Sequence, residues 1–391
     1  MAGKMKMTKL YGKIGPAITG LLIAMSLGHA HAQESLLEVF SKDQPVEYFI
    51  TTDDGWTLSL FRYMPDKVRN GKPPVILCHG FNFNNYMWDL DKKHSLARYL
   101  KAKGYDTWAV NLRGSGDSSK PAMSDIRSIS KMQVLNIPKT LMRMPSNVNK
   151  FDWSIDDHIH KDLPAIINFV KSQAKSPDVT WIGHSMGGMV MYGYLATENL
   201  DNIRNFVSVG SMINVKQPPS PTLGLVASQK PAANASLLIN TTVAYQIRNL
   251  TLGAIKLPWE ELFYNKDNMD DLTAIQMFRL TIDDTSPGVI SQFADMIKTG
   301  EFKTIDQSFS YTGNISRIKV PILFVAGIED KLGTLETMMH AYETVASDDK
   351  EIVIFSKENG YSADYGHCDL LLGKNSQEEV YSVIADWLDK R

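Results

Sequence analysis

Val179-Thr180-Trp181-Ile182-Gly183-His184-Ser185-Met186-Gly187 decides how the rest of the chain is read. Its first four residues are largely apolar and β-prone, and they predict a buried strand. Behind it, Gly188-Met189-Val190-Met191-Tyr192-Gly193-Tyr194-Leu195 predicts a helix. Between them lies Gly-x-Ser-x-Gly, a tight strand-to-helix turn. Such a turn holds the serine in strained backbone and points its oxygen out of the sheet. Side chains at 183 and 187 would collide across it, so both positions are glycine. The helix N-terminus offers unpaired N–H groups to a developing negative charge. The bare pattern occurs by chance. It carries weight here because strand, turn, helix and two partners all stand where they must.

Those partners follow from chemistry. A serine hydroxyl needs a base within hydrogen-bond reach, and the base needs an acid to orient it. In this topology the acid comes first and the histidine second, each in a loop after a core strand. Asp330 lies five residues past Val325, in Ala326-Gly327-Ile328-Glu329-Asp330. Glu329 is the adjacent alternative, and a bland reading has Asp330 capping the next helix. The preceding strand ends in Gly210-Ser211-Met212 and offers no acid. Of nine histidines, only His367, in Tyr365-Gly366-His367-Cys368-Asp369, follows the last predicted strand. His29 and His31 precede the fold, and His94, His158, His160 and His340 lie before that strand. His79 and His184 sit in motifs with other roles. His79-Gly80-Phe81 ends the third strand. The backbone N–H of Phe81, with that of Met186, is read as the pair of donors for an oxyanion, and His79 as structural.

The remaining chain predicts strands at Pro45–Thr51 and Trp56–Tyr63, joined through Asp53-Asp54-Gly55 as a hairpin. Further strands are Val75–Cys78, Thr107–Val110, Phe206–Val209, Ile322–Val325 and Ile352–Phe355. Helices are predicted over Ser95–Lys103, stopped by Gly104, over Asp156–Gln173 with a kink at Pro164, and over Gln377–Asp389. Strand and helix in alternation predict an α/β fold. Its sheet is mainly parallel, eight-stranded and flanked by helices. Two stretches break the alternation. Residues 120–150 form an insert. Residues 213–312 are too long for a loop and are read as a helical cap over the sheet, with helical runs at Asp270–Leu280 and Ser291–Thr299. The core is thus divided into 33–212 and 313–391.

Residues 1–32 are read as an export signal. Lys4, Lys6, Lys9 and Lys13 precede the apolar Ile14–Leu27, and Ala30-His31-Ala32 fits a cleavage site before Gln33. The apolar run falls short of the ~20 residues of a membrane-spanning helix, which makes an uncleaved anchor the weaker reading. Removing four lysines and no acids takes the net charge from -2 to -6. A mildly acidic chain gives no electrostatic case for nucleic acid. Hydrophobic content of 43% and charged content of 21% exclude disorder. Cys78 and Cys368 are read as buried thiols, with a disulfide as the alternative in an exported chain. No metal-ligand spacing, phosphate loop or nucleotide fingerprint is present, so no cofactor is expected.

These segments resemble those of α/β-hydrolases, and within them the acid lipase branch of gastric and lysosomal lipases. The likeness rests on His79-Gly80-Phe81, Asn111-Leu112-Arg113-Gly114-Ser115-Gly116, Trp153-Ser154-Ile155-Asp156-Asp157 with Asp162-Leu163-Pro164-Ala165, Gly183 to Gly187, and Gly366-His367 through Gln377-Glu378-Glu379-Val380-Tyr381. It fades in the cap and in 120–150. The resemblance implies hydrolysis of acylglycerol or sterol esters.

Met123, Met132, Met142 and Met144 of the insert, and Leu252, Ile255, Leu257, Trp259, Leu262, Phe263, Met277, Phe278, Phe293 and Met296 of the cap, mostly pack cap on core. Some are candidates for an acyl pocket. The reading is therefore an exported serine hydrolase acting on a small-molecule ester or lipid through Ser185, His367 and Asp330. Transient lipid-surface contact through the cap is a further expectation, and oligomeric state is not read. An amidase or aminopeptidase would use the same triad, with Glu260-Glu261 as candidate amine-holding carboxylates. A non-catalytic binder on this fold is the third class.

Overall fold

Val75-Ile76-Leu77-Cys78 shows how the sheet is built. Val75 and Leu77 enter one apolar cluster, Ile76 and Cys78 another, and none of the four is exposed. Successive side chains point to opposite faces, so a strand covered on both sides must be apolar throughout. A computed structural model describes residues 44–69, 71–120, 153–197, 202–214, 260–283 and 285–391. The strands are β1 (Val46–Thr51), β2 (Thr57–Tyr63), β3 (Val75–Cys78), β4 (Thr107–Val110), β5 (Val179–His184), β6 (Ile203–Val209), β7 (Ile322–Gly327) and β8 (Lys350–Phe355). They form one eight-stranded sheet in the order β1-β2-β4-β3-β5-β6-β7-β8. β2 is antiparallel to β4, and the described pairings from β4 to β8 are parallel.

Helices cover both faces. α1 (Leu96–Ala102) starts at Ser95, whose Oγ accepts the Arg98 N–H. It stops as its sequence predicts. Gly104 takes φ +88°, its N–H reaches Lys101 O at 2.9 Å, and the Tyr105 N–H reaches Leu100 O at 3.0 Å. That pair of bonds satisfies the last carbonyls, and it needs a residue that tolerates left-handed backbone.

α2 (Leu163–Ala174) ends a helical run that is unbroken from Ile155, as expected from Asp156. The expected irregularity at Pro164 takes the form of a π-turn at His158–Asp162, after a first turn at Ile155–Asp157. Proline lacks the N–H that would bond four residues back, and its ring crowds that carbonyl. The chain answers with a widened turn ahead of the proline, which sits in the first turn of α2. The C-terminal helix divides similarly, into a π-turn at Gln377–Tyr381 and α7 (Ser382–Asp389).

α3 (Met186–Thr197) follows β5 directly and is buried from Met186 to Ala196. A helix apolar all round belongs in the middle of a molecule. Trp181 of β5 donates its indole N–H to Gly187 O at 2.9 Å, tying strand to helix across the turn.

In the expected cap, α4 (Asp271–Leu280) and α5 (Pro287–Thr299) are described. Gln292 docks α5 onto the Trp153–Asp157 segment. Its Oε1 accepts the Ile155 N–H at 2.9 Å, and its Nε2 donates to Asp156 Oδ1 at 2.6 Å. α6 (Leu335–Thr344) links β7 to β8. The export signal of 1–32 with its Ala32/Gln33 boundary, the insert methionines 123, 132, 142 and 144, and Leu252, Ile255, Leu257 and Trp259 lie outside the described residues. Among the described residues no helix is long and apolar enough to cross a membrane.

Candidate active site

The candidate residues follow the C-terminal ends of β3, β5, β7 and β8. Ser185 follows β5 with φ +54°, left-handed backbone in a residue that carries a Cβ. Such a conformation costs about 1–3 kcal/mol and persists only where its surroundings impose it. Here Ser185 N–H bonds to Val209 O of β6 at 2.9 Å, and Ser185 O accepts from Gly188 at 3.0 Å and Met189 at 3.1 Å.

The flanking glycines are required, though not both for the reason the sequence implied. A Cβ on Gly183 would lie 2.3 Å from Gly187 O, the predicted collision across the turn. A Cβ on Gly187 would instead lie 2.2 Å from Cys78 O and 2.7 Å from His79 O, at the end of β3. Gly80 is needed too, because its Cβ would come within 2.9 Å of Ser185 Cβ.

Asp330 and His367, 37 residues apart, meet through Asp330 Oδ2 and His367 Nδ1 at 2.8 Å. Both are buried. Asp330 Oδ1 accepts the N–H groups of Leu332 and Gly333, each at 2.8 Å, so the carboxylate is held at both oxygens. Asp330 does not cap the next helix; Thr334 does, accepting the Thr337 N–H. Glu329 is exposed, and its backbone N–H bonds to Tyr365 O at 2.9 Å.

Three elements fix the backbone around His367. The His184 ring nitrogen Nε2 donates to His367 O at 3.1 Å. The Gly366 N–H goes to Asp369 Oδ2 at 2.9 Å, and the Cys368 N–H to Phe263 O at 2.6 Å. Asp369 is fully buried and also accepts from Asn265 N–H at 3.0 Å and Asn268 Nδ2 at 2.8 Å. Burial pushes its carboxyl up to about 6, against the pull of those donors.

The sequence missed Gly210, Asp369 and the part His184 plays. Gly210 follows β6 at φ +53°, and a Cβ there would sit 2.8 Å from Asp330 Oδ2 and 3.3 Å from His367 Nδ1. The absence of an acid after β6 was legible. That the same position must also lack a side chain was not.

Phe81 follows β3, and Met186 starts α3. Among the described residues neither backbone N–H has an acceptor. The Phe81 ring packs edge-on against Phe293 of α5, centroids 4.9 Å apart. Next to it, Asn82 is also left-handed at φ +59°, and its carbonyl accepts the Asp283 N–H at 2.8 Å. His79 lies behind this turn. Its Nε2 accepts the Leu112 N–H at 3.2 Å, which leaves the ring proton on Nδ1, 2.9 Å from Gly80 O. Burial holds its imidazole down to about 4, a neutral structural side chain.

Arg113 lies between Asp162 and Asp54, with Nε 2.8 Å from Asp162 Oδ1 and Nη1 2.8 Å from Asp54 Oδ2. His158 Nδ1 completes the cluster at 2.8 Å from Asp162 Oδ2. Two of the motif segments read from sequence therefore meet here as scaffold. Cys78 and Cys368 are free and buried, and burial raises both thiols. Glu260 accepts from Tyr264 Oη at 2.7 Å, and Glu261 lies 3.5 Å from Lys331 Nζ. Among the described residues, no three His, Cys, Asp or Glu side chains are grouped to hold a metal ion.

A strand-to-helix turn with a left-handed serine, a buried carboxylate–imidazole pair and a mostly parallel eight-stranded sheet define the class. The chain belongs to the α/β-hydrolase fold family, whose model matches residues 73–360. Among curated relatives it is similar to the tear acid lipase-like protein of Mesocricetus auratus, 23% identical over 374 residues covering 88% of this chain and 87% of that protein. It is equally similar to lipase member K of Homo sapiens, 23% identical over 373 residues, 86% of each chain. Among solved structures, an esterase from Exiguobacterium antarcticum superposes with a TM-score of 0.55 at 19% identity, covering 88% of this chain and 100% of that one.

Proposed function

We propose that this protein is an exported serine hydrolase that cleaves carboxylic esters of apolar acyl groups. The observation that carries the reading is the buried Asp330–His367 pair at 2.8 Å, held to the turn of the left-handed Ser185 through the adjacent His184, whose Nε2 lies 3.1 Å from His367 O. Similarity to lipases over most of the chain supports the ester class.

In this reading Ser185 Oγ attacks the ester carbonyl carbon while His367 takes the serine proton. Asp330 holds the ring with its proton on Nδ1, which leaves Nε2 free to act as base. The Phe81 and Met186 N–H groups receive the negative oxygen, an effect worth about 3 kcal/mol per donor. The tetrahedral intermediate collapses, His367 delivers its proton to the leaving alcohol, and an acyl ester on Ser185 remains. Water, deprotonated by His367, then releases the acid and restores the serine. The bonds made by Glu260 and Glu261 give the aminopeptidase alternative no support.

The test is a chain-length series of nitrophenyl esters beside matched anilides, with wild type and Ser185→Ala. Ester turnover should exceed anilide turnover, extend to chains beyond acetyl, and fall by at least about a thousand-fold in Ser185→Ala with the melting temperature retained. Near-wild-type ester cleavage by the variant, or preference for the anilide, would overturn the reading.

A further inference from the structure

His184 sits between the two residues that define the turn, and the proposed chemistry gives it no role. It is fully buried. A fully buried imidazole is an expensive occupant of a position that a strand-to-helix turn leaves open to other side chains. Its environment indicates what it does there. Nε2 donates to the backbone carbonyl of His367 at 3.1 Å. The two rings lie 4.5 Å apart between centroids, inclined at 43°. On its other side the His184 ring faces Phe83 at 6.3 Å. Nδ1 has no hydrogen-bond partner and faces Gly80, whose added Cβ would lie 3.4 Å from it.

These contacts also fix the ring's state. With Nε2 as donor, the single proton of a neutral imidazole is spent there. A second proton would go to Nδ1, where no acceptor waits. Burial and the neighbouring His367 both hold His184 well below the ordinary histidine range. A neutral donor suits the place, because a second cation would oppose the imidazolium that forms on His367 during acyl transfer.

We propose that His184 is a positioning residue: its Nε2–H anchors the His367 carbonyl and its ring backs the His367 ring, so the turn that presents Ser185 also sets where the base stands. Ser185 and His367 come from loops 182 residues apart in sequence. Through His184 a side chain adjacent to the nucleophile bonds directly to the loop of the base, which the Gly366–Asp369 and Cys368–Phe263 bonds also hold. This inference rests on the assignment of Ser185 and His367 as nucleophile and base.

Three variants separate this role from general packing. Glutamine carries its amide nitrogen at nearly the reach of histidine Nε2, asparagine only at that of Nδ1, and phenylalanine keeps the ring without the donor. The measurement is kcat and KM for a nitrophenyl ester, with kcat expressed per site titrated by a fluorophosphonate, and the melting temperature of each protein. His184→Phe and His184→Asn should lose about 10- to 100-fold in kcat with KM within about two-fold, as misplacement of a base requires. His184→Gln should recover most of the loss. Equal kcat in all three variants, or losses that follow melting temperature regardless of side chain, would overturn the proposal. Should the phenylalanine variant not fold, the glutamine–asparagine contrast decides it alone. If Ser185→Ala abolishes turnover while the His184 variants leave kcat unchanged, this inference fails and the triad reading stands.

Discussion

At the residue scale, the site depends as much on missing side chains as on present ones. Gly80 and Gly210 leave room for Ser185 and for the Asp330–His367 pair, while Gly183 lets the turn close on itself and Gly187 lets it approach β3. Gly210→Ala is the sharpest probe. Its methyl would need space already filled by Asp330 Oδ2 at 2.8 Å and His367 Nδ1 at 3.3 Å, in left-handed backbone. We expect kcat to fall at least about a hundred-fold through displacement of the pair. The accompanying backbone strain should cost about 1 kcal/mol of stability. Steady-state kinetics and thermal melts measure both, and a kcat within two-fold of wild type would contradict the argument. The pairing of Asp330 with His367 was legible because the proposed chemistry demands particular residue types in a particular chain order. Gly210 and His184 were not, because their roles consist of contacts with residues far away in sequence, and no local pattern encodes those.

At the element scale, strands were read well. Runs such as Val75–Cys78 and Ile322–Val325 are continuous and apolar because helices cover both faces of the sheet. The α1 terminus was legible for a similarly local reason, the glycine that left-handed backbone calls for. The π-turns at His158–Asp162 and Gln377–Tyr381 were not legible. A widened turn keeps the apolar spacing of a helix nearly intact and leaves little trace in the sequence. Also unseen was the tie between segment 263–268 and the His367 loop through Asp369. Burial raises that carboxyl to about 6, above the ~3.9 of an unfolded aspartate. The folded chain therefore binds this proton more tightly. The resulting stabilisation is fully present below about pH 3.9 and is lost as pH rises through about 6, a change on the order of 3 kcal/mol. Asp369→Asn cannot titrate there. The melting temperature of wild type minus that of the variant should therefore fall as pH rises from about 4 to about 7. Parallel melting curves across that range would contradict the assignment of a raised carboxyl.

At the scale of the whole molecule, the sheet gathers residues 79–81, 185–186, 210, 330 and 367 at one edge. Parallel strands all end on the same side, and each connection crosses back over a helix before the next begins. The docking of α5 on the Trp153–Asp157 segment, and the Phe81–Phe293 contact, bring residues of the expected cap against that same edge. We propose that His367, held by Asp330, makes Ser185 nucleophilic. Fluorophosphonate labelling followed by peptide mass mapping tests it most directly. One adduct is expected, on the peptide carrying Ser185. Labelling should be absent in Ser185→Ala and slowed at least about a thousand-fold in His367→Ala. An adduct on another residue, or labelling of His367→Ala at the wild-type rate, would contradict it.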